Sequence, residues 1–304
     1  MNNLNTSIEL ALDTNCQAMC IHCSPSYSDF YRNESDSLTQ ITDHRVIKAF
    51  YRTRAKNAFT EKSEIKNSVY WDNFWQNLTQ LTEISLNGGE PLQSENTLKL
   101  IKDLSNHDHA SKITLKIFTS GMSIPDWFFE ILEKFNQVII TFSIDATEEQ
   151  AEYLRWPIRW ESVVDNVKKS MSYSNVKIYF ALSVHSLSLS CFPDIIKWIF
   201  SLNLNLDYNP LTFKYVHRPT WMDVRFVEQH TKEYINQIIW DFIGQCNQDD
   251  CHKLLINSLK GCLDFMWQHK DQRQNVLLRN FIISMDKKRN TNFDIVFPKL
   301  NKVI

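Results

Sequence analysis

The densest chemistry in this chain lies in the run Asp13-Thr14-Asn15-Cys16-Gln17-Ala18-Met19-Cys20-Ile21-His22-Cys23-Ser24-Pro25. Cys16, Cys20 and Cys23 stand at C-x3-C-x2-C, a spacing that lets one loop wrap three thiolates around a single metal centre. A closed structural zinc site takes four protein ligands, so this loop either borrows a fourth or leaves a position open. Borrowing asks His22, between two of the cysteines, to fold its ring back onto its own loop. An iron–sulfur cubane held by three thiolates keeps one iron for an outside ligand, which gives the site chemistry beyond electron storage. Three inert thiols packed as small hydrophobes are the remaining reading. The polar neighbours Asn15, Gln17, Ser24 and Pro25 describe a loop rather than a core element, so the pattern favours an open cluster.

A second concentration is Gly88-Gly89-Glu90-Pro91, in a chain with only five glycines. Adjacent glycines let a backbone approach a ligand closely, and their exposed carbonyls can accept hydrogen bonds from an ammonium group. Taken alone, the same tetrapeptide is an ordinary tight turn. Ser143, Asp145 and Arg155 are further candidates, each of which also reads as a strand-end cap or a surface charge.

The positions of these groups follow from the alternation around them. Ser7–Leu12, Thr82–Asn87, Ile113–Phe118, Gln137–Phe142, Val176–Val184 and Leu204–Leu211 read as strands. Helical periodicity separates them at 71–78, 96–105, 125–135, 160–171 and 192–201. In 160–171, Trp160, Val163, Val164, Val167 and Met171 form the stripe of a helix packed on a sheet. Six strands alternating with helices predict a parallel sheet of α/β class, a partial (β/α)6 TIM-like barrel rather than a complete eightfold one. The polar motifs fall just after strands, where the loops of such barrels converge on an active site. The expected organisation is a barrel over 1–211, with a basic helical insertion near 43–66, and a mostly helical C-terminal region over 212–304. Asp43 to Lys66 holds seven Lys/Arg against three acids and reads as a solvated face or a contact for an anionic or peptide substrate.

Cys16, Cys20 and Cys23, with His22 where an aromatic or His is usual, resemble the signature of radical S-adenosylmethionine enzymes. The resemblance implies a 4Fe-4S cluster whose unique iron chelates S-adenosyl-L-methionine. One electron then cleaves the sulfonium to methionine and a 5′-deoxyadenosyl radical, which abstracts hydrogen from the substrate. Gly88, Gly89 and Glu90 resemble the G-G-E-P motif that holds the amino group. Ser143 and Asp145 resemble a Ser-x-Asp element near the ribose and sulfonium, and Arg155 matches an Arg set against the cofactor carboxylate. Thr119-Ser120-Gly121 stands where Thr-Asn-Gly is common, and Ala146 replaces a frequent Gly. Asp286-Lys287-Lys288-Arg289-Asn290-Thr291-Asn292-Phe293 with Phe297-Pro298-Lys299-Leu300 looks like the ending of twitch-type members, allied to the SPASM enzymes, with Lys299 where an acid is usual.

Twitch and SPASM domains often carry an auxiliary cluster, but Cys191, Cys246, Cys251 and Cys262 form no C-x2-C pair, and that loose spacing argues against one here. Seven cysteines, three in one loop, favour metal over disulfides in a reducing compartment. A net charge of −2 gives no footprint for nucleic acid or an anionic membrane, and no apolar run approaches a bilayer span. Met1-Asn2-Asn3-Leu4-Asn5 lacks the basic and apolar segments of a secretion signal, so a cytoplasmic protein is expected. By resemblance the substrate is organic, with a ribosomally made peptide leading over a carbohydrate, nucleoside or other small metabolite. An external donor such as flavodoxin or ferredoxin is implied. The competing class is a non-enzymatic iron–sulfur scaffold or electron-transfer partner, which has no use for cofactor-chelating groups at 88–90 and 155.

Overall fold

The computed structural model describes residues 6–56, 68–204, 209–246, 250–269 and 275–304. Six strands, β1 (Thr6–Ala11), β2 (Leu81–Asn87), β3 (Thr114–Thr119), β4 (Gln137–Ser143), β5 (Val176–Val184) and β6 (Leu211–Tyr215), form one sheet in sequence order. Every neighbouring pair is parallel. The sheet is the open, partial TIM-like α/β barrel expected from the alternation of elements.

Side chains alternate across each strand, so the two faces of the sheet take different residues. Ile84, Leu86, Leu115, Ile117, Val138, Ile140, Phe142, Ile178, Phe180 and Leu182 are almost wholly buried and make the layer under the helices. The intervening positions include Ser143, Ala181, Ser183 and Lys214, which line the concave side. Helices α1 (Asp29–Ile41), α2 (Arg45–Lys56) and α3 (Ser68–Gln76) precede β2. The crossovers hold α4 (Glu95–Ser105), α5 (Asp126–Glu130), α6 (Glu148–Leu154), α7 (Trp160–Met171) and α8 (Phe192–Ser201). Val163 and Val167 of α7 and Ile195, Ile196 and Ile199 of α8 are the buried rows that periodicity marks.

β6 begins at Leu211, where the sequence places the end of the last strand, and residues 205–208 of that expectation lie outside the described residues. The boundary expected near 212 therefore falls within β6, because Phe180 to Val184 of β5 pair with Leu211 to Tyr215. Of the basic stretch 43–66, residues 45–56 are α2 and 57–66 lie outside the described residues.

After β6 the described chain is helical: α9 (Gln229–Gln245), α10 (Asp250–Met266), α11 (Asn275–Arg289) and the short α12 (Phe293–Val296). None of the described helices is long and apolar enough to cross a membrane. This region packs back on the insertion. Tyr51 of α2 stacks on Phe281 of α11 at 6.2 Å and shares a 2.8 Å hydroxyl contact with Tyr31 of α1. Arg289 donates through Nε and Nη2 to the two oxygens of Glu34, at 2.9 and 2.7 Å, with both side chains buried. Its guanidinium also lies 5.3 Å from the Trp156 ring. Asp286 accepts from Thr291 Oγ1 and from the Phe293 amide, turning the chain so that Phe293 and Phe297 meet Tyr153 of α6.

A buried two-toothed ion pair loses more when one partner is removed than when both are, because the survivor is left charged and unpaired. Arg289→Met is expected to cost about 3–5 kcal/mol in denaturant unfolding, and Glu34→Gln combined with Arg289→Met to cost less than Arg289→Met alone. A single variant with an unchanged unfolding midpoint would refute this role for the pair.

Candidate functional site

The cysteine loop leaves β1 at Asp13 and is held on both flanks by backbone hydrogen bonds. On one side the Gly89 and Glu90 amides donate to the carbonyls of Asp13 and Asn15, at 3.2 and 2.7 Å. On the other, the Met19 and Ile21 amides donate to Trp156 and Leu154, both at 2.7 Å. Ser28, the N-cap of α1, donates from its hydroxyl to the Cys16 carbonyl at 3.2 Å. The loop is thus pinned between the β2–α4 turn and the end of α6.

This docking explains the glycine pair. A Cβ on Gly89 would stand 2.3 Å from the Asn15 carbonyl oxygen, and one on Gly88 2.6 Å from that of Asp13. Gly88 also has φ +128°, where side chains are strained. The close approach is therefore to the cysteine loop itself. Glu90 closes the next strand end: its buried carboxylate accepts from Thr119 Oγ1 at 2.7 Å and from the Ser120 amide and hydroxyl at 2.6 and 2.7 Å. Burial raises its pKa, and these donors oppose the rise.

The strand ends enclose a cavity of about 380 Å³ lined by Cys16, Cys20, His22, Cys23, Gly88, Gly89, Glu90, Ser143 and Arg155, together with Tyr27, Ser183 and Lys214. Every sequence-derived candidate except Asp145 is on this wall. Asp145 lies behind it, fully buried, 2.9 Å from Arg155 Nε and 3.5 Å from His22 Nδ1, and accepts from the Ser183 amide at 3.0 Å. Burial opposes its ionisation, but the Arg155 guanidinium, with His22 and His185, holds the carboxyl well below the usual range. Arg155 in turn donates from Nη1 to Cys20 Sγ at 3.6 Å.

Three thiols of one loop meet at this cavity. A tetrahedral ion with bonds near 2.3 Å needs sulfurs about 3.8 Å apart. Among the described residues, the only trio of His, Cys or carboxylate ligand atoms all within 4.8 Å of one another is His22, Asp145 and His185. Cys16, Cys20 and Cys23, whose sulfurs are not all within 4.8 Å of one another, line one cavity. Burial pushes the Cys16 and Cys20 thiols above their ordinary range and Cys23 up to about 12. At neutral pH they stay protonated until a bound cation displaces the protons. The tight trio is a poor cation site, because the Arg155 guanidinium already neutralises Asp145.

Ser183 and His185, on and just after β5, carry no signal in the sequence, since isolated polar residues after a strand match no spacing. His185 is fully buried, its ring 5.0 Å from that of His22, and Ser183 Oγ lies 3.4 Å from His22 Nε2. Burial lowers His22 to about 4 and His185 to about 3, so both rings are neutral at pH 7. The later cysteines do not gather: Cys191 and Cys262 are buried in separate places, Cys246 is partly buried, and the side chain of Cys251 lies outside the described residues.

No protein-family model matches the sequence, and no curated protein matches it. Solved structures of SuiB from Streptococcus suis are similar to this chain. The form bound to S-adenosylmethionine is 14% identical with a TM-score of 0.48, over 80% of this chain and 45% of that one. A second SuiB structure gives 14% and 0.46 over 80% and 47%, and the form bound to precursor peptide SuiA gives 13% and 0.48 over 88% and 55%. The chain spans about half the length of these structures.

Two measurements test the site's physics. Gly89→Ala is expected to cost about 1–3 kcal/mol in denaturant unfolding, as overpacking does, and to speed alkylation of the buried Cys20; unchanged stability and protection would contradict the docking. His185 faces His22, Asp145 and Arg155, and both histidines have folded values below the unfolded 6.5, so the unfolded chain binds more protons between those values. Stability is then complete above about pH 6.5 and falls as pH drops toward 4, by up to about 1.4 kcal/mol per pH unit for each histidine. His185→Gln should reduce that slope in unfolding curves taken from pH 7 to 4.5, and an unaltered slope would exclude its share.

Proposed function

We propose that this chain is a radical S-adenosylmethionine enzyme that modifies a peptide, with Cys16, Cys20 and Cys23 holding a 4Fe-4S cluster. The observation that carries the reading is that three thiols from one loop line a strand-end cavity with Gly88, Gly89 and Ser143. When bound, such a cluster supplies one-electron cleavage of the S-adenosylmethionine sulfonium and, through it, hydrogen-atom abstraction from the substrate.

The chain's own residues bind and orient. The Gly88 and Gly89 carbonyls are the acceptors we assign to the cofactor's ammonium group, and Ser143 faces its ribose. Glu90, with its oxygens taken by Thr119 and Ser120, acts by fixing the glycine turn against β3. His22 and Ser183, 3.4 Å apart, line the same cavity. Lys214 and the exposed Tyr27 stand on the cavity wall, where a peptide side chain entering from solvent would pass. An external donor of the flavodoxin or ferredoxin kind would supply electrons. The twitch resemblance of the tail gives Arg289 and Phe293 a scaffolding part, since they pack beside residues 153–156 that hold the loop.

The test is anaerobic reconstitution with iron and sulfide, followed by S-adenosylmethionine, dithionite and candidate peptides, with 5′-deoxyadenosine quantified. The parent is expected to form it and Cys20→Ala to lose it by at least about a hundredfold, the scale of loss when metal support is removed. A fully loaded parent that forms none with any substrate would favour the iron–sulfur scaffold instead.

A further inference from the structure

We propose that Arg155 is a positioning residue for the Cys20 sulfur, and that it raises the reduction potential of the iron–sulfur cluster instead of clamping a cofactor carboxylate. The inference rests on the function proposed above and assigns Arg155 a role different from the one its sequence position implies.

The geometry points inward. Nη1 donates to Cys20 Sγ at 3.6 Å while Nε sits 2.9 Å from Asp145 Oδ2. The Arg155 side chain is 7% exposed and that of Asp145 is fully buried. Asp145 is itself anchored, because its other oxygen accepts from the Ser183 amide and the neutral His22 ring lies 3.5 Å away. A guanidinium is a rigid planar fork, so a group held at two edges is aimed, not merely nearby. Turning it out to grip a carboxylate in the cavity would leave a buried Asp unpaired, a large cost.

The consequence is electrostatic. When one electron passes from a low-potential donor to the cluster, the cluster gains one negative charge. A cationic N–H donor on a ligating sulfur stabilises that charge, and it does so more strongly where burial lowers the local dielectric. Asp145 offsets part of this field but also fixes the donor's direction. Arg289, paired with Glu34, adds a weaker positive contribution at Cys20. Removing Arg155 should therefore make the cluster harder to reduce even before any cofactor is added. A residue that only clamps a carboxylate would leave the cofactor-free potential unmoved.

The experiment compares the full-length parent with Arg155→Gln and Arg155→Lys after anaerobic reconstitution. Iron and sulfide are counted, the midpoint is read by EPR-monitored titration without S-adenosylmethionine, and its binding is measured separately. The expected result is a loaded Arg155→Gln whose reduction equilibrium is about tenfold less favourable, equal to 59 mV for one electron. Arg155→Lys, which keeps the charge but cannot span both partners, should fall between. A loaded Arg155→Gln with the parent's potential, weakened only in S-adenosylmethionine binding, would overturn the inference in favour of a carboxylate clamp. If Arg155→Gln takes up no cluster, Arg155→Lys decides: a lowered midpoint upholds the inference and a parental one overturns it. A parent that binds no iron would overturn the functional reading, and the inference with it.

Discussion

The cysteine loop is held as backbone, and the remainder of the site depends on that constraint. Four main-chain hydrogen bonds, two from Gly89 and Glu90 and two to Leu154 and Trp156, fix its two flanks. Each is worth only about 1 kcal/mol net, but together they determine where three sulfurs point. The first pair exists because Gly88 and Gly89 have no Cβ to meet the carbonyls of Asp13 and Asn15. The second brings the end of α6 beside the loop, and that is what carries Arg155 to Cys20.

The polar chain behind the cavity is the second consequence. Parallel strands bury both faces, so polar groups on the concave side must find partners within the protein. Cys20, Arg155, Asp145, His22 and Ser183 stand next to one another in turn, with charge only on the Arg–Asp pair. Neutral histidines at the end of the chain let the pair be buried without a second like charge beside it. The same arrangement explains why Asp145 stands behind the wall and not on it: its carboxylate is the anchor from which the wall's cation is aimed.

The helical region beyond β6 contributes support at a distance. Arg289 reaches Glu34 of α1 and faces Trp156, whose carbonyl receives the Met19 amide. Residues far apart in the chain are thus two contacts from the cysteine loop. The aromatic group of Tyr153, Phe293 and Phe297 presses the tail onto α6 from the other side. A tail that packs here stiffens the segment carrying Leu154, Arg155 and Trp156.

Much of this was written in local pattern. The strand and helix periods between Trp71 and Ser201 specify a parallel α/β sheet, because each period depends only on which neighbours are apolar. The C-x3-C-x2-C spacing and the glycine pair stand out for the same reason, as short-range features set by chain geometry. Other features were illegible. Helix α1 buries Tyr31, Glu34 and Leu38, partly against partners some 250 positions away, and its own run Asp29–Ile41 is too polar to mark a core helix. The β6 register depends on pairing with β5, not on the apolar run before it. His185 and Ser183 have no motif at all. By itself the sequence determined the sheet class, the order of its strands and the loop with three thiols. Only the tertiary structure decided that the glycines serve the loop and that Arg155 faces Cys20, since each is a distance between segments that no local rule encodes.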